Sequence, residues 1–134
     1  MPSYRTGTVV GLLEARPGLQ RVEVELGAGP ERAYAVTSLT GTVAVGDEVV
    51  LNTTAVELGL GTGGWHVVHW NLARREWQEP GPGHIVKLRY TSLQADTGAV
   101  EELHAGELAE ADDLEGMPVV VTGLHSHVPC VAAA

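Results

Sequence analysis

The stretch Gln20-Arg21-Val22-Glu23-Val24-Glu25-Leu26 decides the fold class. Successive side chains of an extended chain point to opposite faces, so Val22, Val24 and Leu26 share one face and Arg21, Glu23 and Glu25 the other. That alternation reads as a half-buried strand. The valines reinforce it, because a Cβ-branched side chain packs well on a pleated surface and loses rotamer freedom in a helix.

Turn signals surround this strand. Before it, Arg16-Pro17-Gly18-Leu19 pairs a fixed φ with a residue that accepts a positive one, and ends the apolar run Thr6–Leu13 that opens with Gly7. After it, Gly27-Ala28-Gly29-Pro30 leads to a strand over Arg32–Thr37, and Gly46-Asp47 separates Val43 and Val45 from Val49-Val50-Leu51. Thr53–Leu58 continues with β-formers. Short strands divided by turns at close spacing predict a small antiparallel β-barrel or sandwich. Closure is the better solution, since strands this poor in lysine carry little protection for open edges.

The second half is punctuated differently. Glu79-Pro80-Gly81-Pro82-Gly83 continues neither a helix nor a central strand, so it divides a barrel-like module, residues 1–78, from a β-rich segment, residues 84–134. In that segment His84–Tyr90 reads as a strand, with Ile85, Lys87 and Arg89 on one face and Val86, Leu88 and Tyr90 on the other. Glu101–Gly116 reads as one short, acidic helix. Met117–Thr122, holding Val119-Val120-Val121, reads as a strand buried on both faces. The glycine-containing loop and Ala-rich end that follow resemble the opening of a βα unit. The expectation is an N-terminal fragment, cut where an α/β region begins.

Composition narrows the function classes. The 134 residues carry 17 acidic and 8 basic side chains, a net charge of −9. Such a field repels a phosphate backbone, and the bases are scattered, so nucleic acid is disfavoured unless a local basic patch forms. Cys130 is the one cysteine, so there is no internal disulfide and no support for an oxidising compartment. The N-terminal apolar run is too short for a signal peptide and no stretch approaches a membrane span, which leaves the cytoplasm as the expected location.

Three clusters invite a chemical reading. Gly61-Thr62-Gly63-Gly64 has the composition of a phosphate cradle, but bulky Trp65–Trp70 follows where a helix N-terminus is needed, so a wide hairpin turn is the favoured reading and a nest of backbone amides the functional one. His66 and His69, three apart on a strand, face opposite ways and do not chelate as a pair. His125-Ser126-His127 is the better cluster. On an extended segment both imidazoles share one side, Cys130 lies just beyond, and the position after a buried strand is where open α/β sheets place their sites. Two histidines remain an incomplete metal shell, so no metal site is assigned. His84 and His104 stand alone, and Lys87 and Arg89 answer carboxylates across a sheet.

Three segments carry a family resemblance: Gly61-Thr62-Gly63-Gly64 with His66, Gly83–Gln94 (GHIVKLRYTSLQ) and Gly116–Ala134 (GMPVVVTGLHSHVPCVAAA). In this order they resemble a bacterial family of uncharacterised proteins, domain of unknown function 3866. Val86 and Ser92 depart mildly, standing where Met and Pro are commoner. The resemblance implies a longer protein that continues into an α/β-looking region, and it supplies no catalytic residue and no cofactor. The leading expectation is a non-catalytic N-terminal β module that supports or regulates that region, its partner being the remainder of the same polypeptide or a second copy of the chain. One alternative is an enzyme with its site at the junction near His125 and His127. The other is a nucleic-acid-binding small barrel.

Overall fold

The computed structural model describes residues 1–133. Five strands, β1 (Tyr4–Arg16), β2 (Leu19–Glu25), β3 (Pro30–Val36), β4 (Glu48–Asn52) and β5 (His66–Asn71), close into a barrel in the order β1-β2-β3-β5-β4. The sandwich alternative is thereby set aside. Alternation in β2 holds as read: Val22 and Val24 are fully buried while Arg21 and Glu23 lie outside. With Val9, Leu26, Ala33, Ala35, Val43, Val49, Leu51 and Val68 they form the core. No Tyr or Trp ring is among them, because a five-stranded barrel leaves a narrow interior that valine and alanine already fill.

Barrel closure rests on β1, whose first part pairs with β4 (Tyr4↔Asn52 to Thr8↔Glu48) and whose second part pairs with β2. Register shifts between Val9 and Gly11 and between Leu12 and Glu14 bend the strand so that it serves both neighbours. Gly7 lies at the closure. A Cβ there would sit 2.6 Å from the Glu25 carbonyl oxygen and 2.7 Å from Leu26 Cδ2, so the strands approach only because no side chain intervenes. Gln20, buried at the start of β2, accepts a hydrogen bond from the Val43 amide (2.8 Å) and donates to its carbonyl (3.3 Å), which satisfies a buried amide and pins the segment before β4.

One pairing is not legible in alternation. β3 and β5 run parallel, with Ala33 opposite His66 and Tyr34 opposite Val67. The chain between them contains β4 and two helical turns, α1 (Thr37–Thr40) and α2 (Thr54–Glu57). The α2 turn corrects the expectation of β structure over Thr53–Leu58. Asn52 Oδ1 accepts from the Thr54 amide (3.1 Å) and the Thr53 hydroxyl donates to Glu57 (2.6 Å). Such local side-chain bonds outweigh a strand propensity.

Beyond the barrel, β6 (Ile85–Lys87) and β7 (Ala95–Thr97) form a two-stranded sheet. The strand expected over His84–Tyr90 ends early because Leu88 (φ 50°) and Tyr90 (φ 64°) adopt left-handed backbone. Gly81 and Gly83 are held against this unit: the Gly81 amide donates to Asp96 (2.6 Å), and a Cβ on Gly83 would meet Glu102 Oε2 at 2.3 Å. The expected acidic helix is two short ones, α3 (Val100–Leu103) and α4 (Ala105–Glu110). Val119-Val120-Val121 forms no strand and is exposed, with Val121 at 91%. A strand buried on both faces needs layers on each side, and none of the described residues supplies them. A 3₁₀ turn (His125–His127) and α5 (Val128–Ala132) follow.

Candidate functional site

The glycine loop joins α2 to β5, so it belongs to a connection between the antiparallel neighbours β4 and β5 and not to a tight hairpin. Gly63 (φ 63°) and Gly64 (φ 78°) turn the backbone back toward β3. The Gly63 carbonyl accepts a hydrogen bond from Arg32 Nη2 at 2.9 Å, and a Cβ on Gly64 would lie 3.2 Å from the same nitrogen. Gly61 has open space around it. Trp65, directly after the loop, places its indole 4.9 Å from the Arg32 guanidinium carbon and 5.1 Å from that of Arg21. The loop thus receives a cation through a carbonyl, where an anion nest would offer amides.

His66 and His69 do face opposite ways. His69 lies outside, its ring 5.0 Å from that of Tyr4. His66 points inward, only 3% exposed, with Nε2 2.8 Å from Glu31 Oε2. Its Nδ1 is buried without a partner. Arg5 donates to the Leu26 carbonyl (2.7 Å) and stands 3.9 Å from Glu31. Nearby, the hydroxyls of Thr53 and then Ser3 hold the Glu57 carboxyl below its ordinary value, helped more weakly by the charges of Arg5 and His66. This polar girdle braces β3 against β5 at one end of the barrel, and it seals His66 from solvent.

The C-terminal cluster does not form as expected. His125 and His127 lie in a 3₁₀ turn, where residues two apart point about 120° away from each other. Their imidazoles therefore do not share one side, and Cys130, exposed within α5, belongs to the next element. Among the described residues no group of three His, Cys, Asp or Glu side chains is placed to hold a metal ion. His84 and His104 each face a glutamate, Glu102 at 3.4 Å and Glu107 at 3.6 Å, on the surface.

Sequence reading missed the residues that the barrel brings together most closely. Arg21 on β2, Arg32 and Tyr34 on β3 and Trp65 after the loop converge from three separate stretches. The register sets Arg21 opposite Tyr34. The outward alternation of β2 and β3 signalled half of this; the parallel partner that delivers Trp65 left no local trace. A second missed group is Arg74, which donates to the carbonyls of Thr40 (3.2 Å) and Thr42 (2.5 Å) and lies 5.0 Å from the Trp77 ring.

A family model described as "Protein of unknown function (DUF3866)" matches residues 32–134. The chain belongs to this family. In this DUF3866 member the match begins inside β3, so it covers β3 to β5, the glycine loop and the whole segment after the barrel, and leaves β1 and β2 outside. No curated protein and no solved structure matches the chain. No helix among the described residues is long and apolar enough to cross a membrane.

Proposed function

We propose that this DUF3866 chain is a non-catalytic β-barrel module that supports an α/β region of the same polypeptide, with residues 84–133 as the surface on which that region packs. One contrast carries the reading. The barrel buries a contiguous apolar core, although Val10, Leu12 and Leu13 on the outside of β1 stay exposed, whereas the segment after it has no buried core residue: Leu88, Tyr90 (98% exposed), Met117, Val119, Val120, Val121 and Leu124 all face solvent. Apolar side chains in such number on one short segment mark a surface that is covered in the functional state.

The barrel offers the pedestal. An apolar cleft of about 320 Å³ is lined by Tyr4, Leu39, Val67 and His69 from the barrel and by Leu88 and Leu93 from the segment. The segment therefore faces the outer side of β5 across this cleft, and its remaining apolar side chains are left for the α/β region that the family resemblance implies. Trypsin tests this. Lys87 and Arg89 are the last two basic residues of the chain and both are exposed. The expected result is rapid cleavage after both in this chain and strong protection of the same bonds in the longer gene product, read by mass spectrometry. Equal cleavage rates in the two, or a reading frame that stops at Ala134, would sink the proposal.

A further inference from the structure

A second surface of the barrel has the chemistry of a ligand site, and it lies away from the proposed packing face. Arg21, Tyr34, Thr62, Trp65 and Leu19 line an open cleft of about 210 Å³ on the outer side of β2 and β3, with Arg32 at its rim. Both guanidiniums are held in place. Arg21 pairs with Glu14 (2.8 Å) and Arg32 donates to the Gly63 carbonyl (2.9 Å), while both lie about 5 Å from the Trp65 ring centroid. Each uses one N–H for that bond, and a guanidinium has five donors, so each retains donors for an incoming anion. Thr62 adds a polar atom: its hydroxyl oxygen is buried and has no hydrogen-bond partner.

Local charge here departs from that of the whole. Arg16, Arg21 and Arg32 gather around the cleft, three of the chain's 8 basic residues, against Glu14 and Glu23 of its 17 acidic ones. An indole, a phenol and two fixed guanidinium planes are the groups on which nucleobases stack, and the spare N–H donors suit a phosphate. Five-stranded, partly open Greek-key barrels use the face of strands 2 and 3, with the loops between strands 1 and 2 and between strands 4 and 5, to bind oligonucleotides and oligosaccharides. Here Trp65 and Thr62 come from the second of these loops. We infer that the Arg21–Tyr34–Trp65–Arg32 cleft binds a base-plus-phosphate unit, from a single-stranded nucleic acid or a free nucleotide.

Few phosphates are engaged, so binding to a strand is weak and only mildly salt-dependent. Two phosphate contacts give a slope of about −1.4 in log K against log[salt]. The test is NMR titration of the ¹⁵N-labelled chain with deoxythymidine decamer and, separately, with adenosine 5′-monophosphate. The expected result is shifts of the Trp65 indole and of the Arg21, Arg32 and Tyr34 amides with at least one probe. Weakening of about tenfold is expected for Trp65→Ala and for Arg32→Gln, with most binding kept in Trp65→Phe. Binding of the decamer alone assigns a strand, and equal binding of the mononucleotide assigns a free nucleotide. Because Trp65→Ala also removes packing, melting curves accompany each variant, and Arg32→Gln, exposed in the fold, serves as the independent probe. Absence of shifts in the cleft up to millimolar concentrations of both probes, or affinity unchanged in a folded Arg32→Gln, would overturn the inference.

Discussion

At the scale of single residues, the barrel end near Glu57 shows how a charged group is held by neutral ones. The Thr53 hydroxyl, and less strongly that of Ser3, donates to the Glu57 carboxylate and keeps its proton affinity below the ordinary value of 4.5. A folded-state pKa that lies below the unfolded one gives stability that is fully present above about pH 4.5 and is lost as the pH falls through the lowered value. Urea unfolding of the wild type and Glu57→Gln, compared from pH 7 to pH 3, checks this. The wild type is expected to be the more stable at neutral pH, with the gap closing below about pH 4.5. A gap that stays constant with pH would show that the hydroxyl bonds contribute nothing through ionisation. Which face a residue takes was legible from its neighbours in β2. The second partner of Glu57 and the partner of His66 were not, because Ser3 and Glu31 come from distant stretches.

At the scale of elements, β5 marks where alternation stops informing. His66 and Val68 point inward as period two requires, but pairing runs Leu51↔Val68 and then Val50↔Trp70, so His69 is an extra residue. After that bulge the parity inverts and Asn71, not Trp70, is buried, donating to Asp47 Oδ2 at 2.7 Å. No local pattern announces the shift, since it answers the partner strand. The clamp after β5 is similar. Arg74 crosses over Gly41, where a Cβ would meet its Nη1 at 1.5 Å, to reach two carbonyls beyond α1. Hydrogen bonds from a charged donor in a half-buried position contribute about 1.5–3 kcal/mol. Arg74→Ala is expected to lower unfolding stability by roughly that amount, and Arg74→Lys to recover little of it, because an ammonium lacks the planar fork that reaches two acceptors and stacks on Trp77. Chemical denaturation measures both. Full recovery in Arg74→Lys would assign the effect to charge alone.

For the whole molecule, most of the barrel was legible, and of the segment after it only β6 and the acidic helical stretch. Val22 and Val24 alternate with Arg21, Glu23 and Glu25, so their burial follows from local pattern alone, whereas Val49-Val50-Leu51 is an unbroken apolar run whose strand depends on pairing with β1 and β5. Val119-Val120-Val121 carries the same β propensity without alternation, and a run of that kind becomes a strand only where other elements cover both faces. Strand order, and with it the parallel β3–β5 pair that builds the Trp65 cleft, depends on contacts between residues more than thirty positions apart. Composition placed the charge correctly for the chain but not for its surface, where three arginines gather on one face.

All of this depends on a barrel that is cooperative by itself while the residues after it stay uncovered in this chain. Residue-resolved amide exchange by NMR tests that division directly. The account predicts that the amides of Val22, Val24, Ala33, Ala35 and Leu51 exchange slowest and at a common free energy of opening, with those of Val119, Val120 and Val121 faster by orders of magnitude. Protection of Val119–Val121 equal to that of the barrel strands, or rapid exchange throughout β2 and β3, would contradict it.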